Sequence, residues 1–183
     1  MTLVETVIAS FIFTIIGMGV VSLLIITARE QRVGFVEQRV FEEADRLQDR
    51  ITRILQGASR DAGVFFDHEE GAYFRRIVFR EGIGKANQSL YFDKQSHILE
   101  YDPDMSISGN EKKLGMPGES IALPDMVKFR SAMKTGGIPD SAIILVVVEV
   151  SDHGYGKSAF RDISEKTNWI MSSRTFAVNL RRY

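Results

Sequence analysis

The chain of 183 residues carries 23 basic and 24 acidic side chains, and this near-cancellation offers no electrostatic footprint for a nucleic-acid backbone. Its 44% apolar and 26% charged content excludes wholesale disorder, and its length suits one ordinary domain with an appendage. The absence of cysteine removes disulfide frameworks, thiolate zinc sites and cysteine nucleophiles together.

From Met1 to Ala28 the only ionisable side chain is Glu5. At about 1.5 Å per residue this stretch makes roughly 40 Å of helix, enough to cross a hydrocarbon core about 30 Å thick. A secretory signal peptide would show a basic start, a shorter apolar run and a small-residue cleavage site, and the segment before Arg29 has none of these. Its small residues Ala9, Ser10, Gly17, Gly19, Ser22 and Ala28 permit close helix approach. A carboxylate in a bilayer centre or a dry bundle costs at least a few kcal/mol, so Glu5 implies a specific partner.

Beyond Ala28 the helical period persists: Val33, Val36, Val40, Ala44, Leu47, Ile51, Ile54 and Ala58 follow steps of three and four. Between them lie Arg29, Glu30, Arg32, Glu37, Arg39, Glu42, Glu43, Asp45, Arg46, Asp49, Arg50 and Arg53, a wet face with pairs such as Glu42 with Arg46. No proline precedes Pro103 and the first strong stop is Gly57, so residues 1–56 are expected to form one helix, roughly 80 Å long. Its half 1–28 suits lipid or other helices; its half 29–56 is expected to pack on the globular part, 57–183.

After Gly57 the pattern changes to short segments rich in aromatic and branched residues, divided by turn-formers: AGVFFDH, AYFRRIVFRE, QSLYFD, HILEYD, MVKFRSAM, AIILVVVEVS and SRTFAVNL. They predict an antiparallel sheet, hence an α+β fold with the helix laid over it. LYFDKQSHILEYD reads as a hairpin turning at Asp93 to Ser96, VEVSDHGYGKSAF carries a glycine-rich turn, and residues 103–124 read as a surface excursion.

The opening MTLVETVIASFIFTIIGMGVVSLLI resembles the mature amino terminus of type IV pilins and type II secretion pseudopilins. Met1, Thr2, Leu3, Val4 and Glu5 match that family's pattern position by position. In the sheet part, SLYFD, HILEYD and RTFAVNLRRY look like the strands and ending of the larger minor subunits, the J-type pseudopilins and their pilus equivalents. The chain departs from many pilins in having no proline in the apolar segment, where Gly17 and Gly19 offer a softer point of flexibility. It also shows no basic leader before Met1, so the resemblance implies a processed chain whose methylated amine is at Met1.

The same resemblance implies a structural subunit, not an enzyme. Its partners would be other pilin or pseudopilin subunits, a prepilin peptidase, an inner-membrane platform protein, an assembly ATPase and, before assembly, membrane lipid. The body would be periplasmic, and Glu5 would pair with the Met1 amine of a neighbour. A minor or initiating subunit is favoured over a major one, because the domain is large and lacks a cysteine loop. The competing class is a single-span anchored binding domain that never polymerises.

Other motifs carry bland readings. EGIGKA has Gly82 and Gly84 but lacks the phosphate-loop spacing and its Lys-Ser/Thr, so a strand turn is expected. Asp102, Asp104, Ser106 and Ser108 alternate like calcium ligands, yet Ile107 stands where the required glycine belongs and Lys113 where the closing acid belongs. His68, His97 and His153 fall in separate segments without ligand spacing, and no serine lies in a nucleophile elbow. No catalytic residue, metal site or cofactor is assigned; Arg181 and Arg182 form a basic end, and Trp169 is expected to pack on the sheet.

Overall fold

The computed structural model describes residues 3–114, 122–133, 139–152 and 170–181. One helix, α1 (Leu3–Gln56), runs without interruption into an eight-stranded antiparallel sheet, an α+β fold. The strands are β1 (Val64–Glu70), β2 (Tyr73–Phe79), β3 (Gln88–Asp93), β4 (Ile98–Asp102), β5 (Lys112–Leu114), β6 (Leu123–Met133), β7 (Pro139–Ser151) and β8 (Met171–Asn179).

The sheet runs β5-β4-β3-β2-β6-β7-β8, with β1 added along β2. β3 holds β2 at residues 76–79, whereas β6 meets it through the single pair Phe74–Phe129. The sheet therefore curls into two wings, β1–β5 and β6–β8, joined at one narrow seam. The chain leaving the helix ties the wings together at one end: the Ser59 amide donates to the Arg80 carbonyl at 2.7 Å, and the Arg60 amide to the Arg181 carbonyl at 2.9 Å. Each of those bonds joins residues distant in sequence, so the closure belongs to the tertiary structure.

Burial explains how the helix docks. Val36, Val40, Ala44, Leu47, Ile51, Leu55 and Ala58 face the sheet, where Ile144, Val146, Val148 and Val150 alternate along β7 and Val178 and Leu180 close β8 and its exit. Each fully buried aliphatic side chain contributes about 1.5–3 kcal/mol of transfer free energy. Arg174 pins the register from β8, with its Nε 3.0 Å from Asp45 Oδ1 and its guanidinium over the Phe41 ring.

Two details depart from the sequence pattern. The buried stripe starts at Val36, since Val33 stays 37% exposed, and Leu55 is buried while Ile54 is only half-buried. Glu43, assigned to the wet face, is 3% exposed. It lies seven residues after Val36, three after Val40 and four before Leu47, so the helical period itself puts it in the stripe. Arg46 Nη1 reaches its Oε2 at 3.2 Å.

The turns follow their chemistry. Gly71 has φ +66° and opens a two-residue hairpin between the paired Glu70 and Tyr73, while Ala72 keeps negative φ, the pattern of a type II′ turn. At the β3–β4 turn Asp93 Oδ1 accepts from the Gln95 amide at 3.0 Å and Oδ2 from the Ser96 hydroxyl at 2.6 Å. The excursion expected at 103–124 contains the short strand β5, paired with β4 through Leu99–Leu114 to Tyr101–Lys112. Its lysine-rich sequence gave no alternating signal, and lysines suit an exposed edge. The glycine-rich turn after Asp152, His153, Trp169 and Arg182 lie outside the described residues.

Candidate assembly segment and surface clusters

The dominant surface feature is the part of α1 that the body does not cover. Every residue from Leu3 to Phe35 is exposed except the half-buried Gly17, and the apolar stretch is long enough to cross a membrane with none of it buried inside the protein. Leu3, Phe11, Phe13, Met18, Leu23, Leu24 and Ile25 are each more than half exposed. Two of its hydroxyls are turned back on the helix: Thr14 donates to the Ser10 carbonyl at 2.8 Å and Ser22 to the Met18 carbonyl at 2.9 Å. Glu5 stands exposed on this surface, in the first turn of the helix. Met1 lies outside the described residues, so the Met1–Glu5 geometry within a chain is not described.

Gly17, Gly19 and Gly34 are helical, and a Cβ at any of them would meet nothing within 4 Å. Nothing inside the protein requires glycine there. Gly34 was not singled out from the sequence, yet it sits in the neck between the apolar segment and Val36, where burial begins. The neck carries Arg29, Glu30 and Arg32 in the open, and Phe35 beneath the Arg39 guanidinium at 5.2 Å.

The wing seam holds a charge cluster that sequence reading missed. Glu70, ending β1, has Lys94 Nζ and Lys128 Nζ each at 3.5 Å and Arg75 Nε at 3.8 Å. Slight burial opposes its ionisation, but Lys128 and Lys94 outweigh that effect and hold the carboxyl below its ordinary range. Arg130, two residues beyond Lys128 on β6, covers the Tyr73 ring at 4.7 Å. Arg75 is the hairpin neighbour of Glu70, but Lys94 and Lys128 lie 24 and 58 residues further along the chain, so no local motif could have signalled the cluster.

The remaining candidates resolve into structure. In the loop after β4, Asp102 Oδ1 accepts from the Asp104 amide at 2.9 Å. Asp104 Oδ1 accepts from the Ser106 amide at 3.0 Å and the Ser106 hydroxyl at 2.6 Å. The Ser106 hydroxyl, and then its amide, lower the Asp104 carboxyl, and the oxygens serve the loop's own donors. Among the described residues no group of His, Asp and Glu is placed to hold a metal ion.

EGIGKA forms a turn closed by the Lys85 amide on the Gly82 carbonyl at 3.2 Å, with Gly84 at φ +80°. The His68 ring lies tilted against Tyr91 with centroids 5.1 Å apart, and His97 Nδ1 lies 3.1 Å from the Pro124 carbonyl oxygen and 3.6 Å from Asp125 Oδ1, tying the β3–β4 turn to β6. A half-buried polar chain runs from the Tyr101 hydroxyl to Gln88 at 2.9 Å and from Gln88 to Glu81 at 3.0 Å. Burial, then Glu81 and Asp102, raise the Tyr101 phenol.

No family model matches this chain, and neither a curated protein nor a solved structure matches it.

Proposed function

We propose that this chain is a structural subunit of a type IV pilus or type II secretion pseudopilus, held in a membrane by residues 3–28 and then drawn into a helical filament. The observation that carries the reading is the protruding half of α1: an uninterrupted apolar surface bearing one carboxylate, Glu5, attached to a body that leaves it uncovered. Such a surface has two suitable environments, lipid or a bundle of like helices. Transfer between them gains packing rather than hydrophobic free energy, so small residues and a single ion pair can decide register. A head-to-tail contact that does not close generates a fibre.

The resemblance of residues 1–25 to the pilin opening supports the same reading, with a minor or initiating subunit favoured and the body on the periplasmic side of a bacterial inner membrane. Extraction then falls to a platform protein and an assembly ATPase. In the filament, Glu5 pairs with the Met1 amine of a neighbour. At about 4 Å and an effective dielectric near 20 this attraction is about 4 kcal/mol, and removing one partner from a dry site costs about 3–5 kcal/mol.

The test is Glu5→Ala beside Glu5→Asp at equal expression. Sheared filament or secreted cargo is quantified against membrane-held subunit in the same cells. Glu5→Ala should keep insertion and the folded body but lose incorporation, and Glu5→Asp should fall between. Wild-type incorporation of Glu5→Ala would reject the ion pair and favour a plain membrane anchor.

A further inference from the structure

The charges of α1 beyond its apolar half are sorted by side. With Val40, at the centre of the buried stripe, as zero and about 100° per residue, Glu30, Glu37, Glu42, Asp45 and Asp49 fall between about 60° and 200°. Arg32, Arg39, Arg46, Arg50 and Arg53 fall between about 220° and 280° on the same scale. Of the charged residues from Arg29 to Arg53, only Arg29 and the buried Glu43 lie outside this division. One flank of the helix is acidic and the other basic, and the sheet occupies the side between them.

The chain leaves much of this charge unmatched. The pairing expected four residues apart does not form at Glu42, which accepts from Gln38 Nε2 at 2.7 Å while Arg46 turns to Glu43 at 3.2 Å. Glu30, Glu37 and Asp49 on one flank, and Arg32, Arg50 and Arg53 on the other, are exposed and form no ion pair among the described residues.

Charge and direction together identify the occupant. A two-fold contact, like flank against like flank, would set acids against acids or arginines against arginines, which is repulsive. An acidic flank against a basic one is complementary, and helices anchored in one membrane through residues 3–28 lie parallel and level. At that level Arg32 of one copy comes within two residues of Glu30 of the next, Arg39 within two of Glu37, and Arg50 within one of Asp49, axial offsets of about 1.5–3 Å.

We propose that this chain associates with a second copy of itself, side by side and parallel, the acidic flank of one α1 against the basic flank of the other. The contact is heterologous, so it can repeat from copy to copy. The flanks lie roughly 130° apart around the back of the helix, so neighbours on both sides leave the sheet bodies on the outside. Arg32, Arg39 and Arg46 recur every seven residues, as do Glu30 and Glu37. A neighbour shifted by one such step, about 10 Å, therefore meets the ladder again, with Arg39 beside Glu30 and Arg46 beside Glu37. Exposed pairs are individually weak, and the common anchor lets them add by aligning the copies and raising their effective concentration. The proposal rests on the membrane-spanning part of the function proposed above and names the partner as a like copy.

The experiment uses the full chain in phosphatidylethanolamine–phosphatidylglycerol vesicles at several copies per vesicle, with protease protection reporting insertion. The chain has no cysteine, so introduced thiols are unique reporters. Thr52→Cys marks the acidic flank of one tagged copy and Arg53→Cys the basic flank of another, and mild oxidation links those that touch. The unlike link should exceed either like link at least threefold and should fall at high salt. Adding Asp49→Arg to the first copy alone, or Arg50→Glu to the second alone, should lower the unlike link about fivefold. Adding both should restore it, because the reversed charges again attract.

Like links as strong as unlike ones in an inserted chain overturn the flank contact and leave the span intact. Single reversals without effect, or a double reversal that does not restore the link, overturn it equally. A chain that fails to insert overturns both the contact and the membrane reading.

Discussion

Glu70 shows how a single carboxylate can hold two wings of a sheet together. It ends β1, and its cationic neighbours come from β2, the β3–β4 turn and β6. Because its folded-state carboxyl sits below the ordinary value of 4.5, it contributes stability above that pH and loses the contribution as pH falls through its folded value. The cluster is solvent-accessible, so screening limits Glu70→Gln to a loss of about 0.5–1 kcal/mol at neutral pH. Urea titrations at pH 7 and pH 3 should show that loss at the higher pH and almost none at the lower one; an equal loss at both would rule out the electrostatic account. Glu43 carries the opposite lesson, because its position was legible. Its spacing from Val36, Val40 and Leu47 places it in the stripe, but residue type outweighed period in assigning it to the wet face.

At the scale of elements, α1 was readable from end to end because an apolar period, the lack of proline and the stop at Gly57 all agree. β5 was not, since three residues with two exposed lysines give no alternation and exist as a strand only through pairing with β4. The glycines separate by the same logic. Gly34 is helical with open Cβ space, so Gly34→Ala should stabilise the fold by about 0.4–1 kcal/mol. Gly71→Ala should instead destabilise by at least about 1 kcal/mol, because a Cβ is strained at φ +66°. Thermal melts of the two variants should move in opposite directions. A fall with Gly34→Ala would mean the neck must bend in the folded protein.

The whole molecule divides where burial begins. All of the sheet's helical cover starts at Val36, so a chain lacking residues 1–28 retains every core side chain. It should be a soluble, folded monomer by light scattering and far-UV circular dichroism. Dimerisation through the stripe would show that the helix prefers another helix to its own sheet. Residues 29–35 would remain as about two exposed helical turns whose Arg29, Glu30 and Arg32 favour solution.

The sequence by itself determined the helix, its division into an apolar and an amphipathic half, and seven of the eight strands, because each depends on a local period or turn chemistry. It also singled out Glu5 as an exception on an apolar background. Only the tertiary structure decided how the sheet curls, where the helix first touches it and which charges meet at the seam. The Phe74–Phe129 pair, the 58–60 tie to Arg80 and Arg181, and the Glu70 cluster each join residues remote in sequence. Their geometry follows from the twist and closure of the assembled sheet, which no local window of residues specifies.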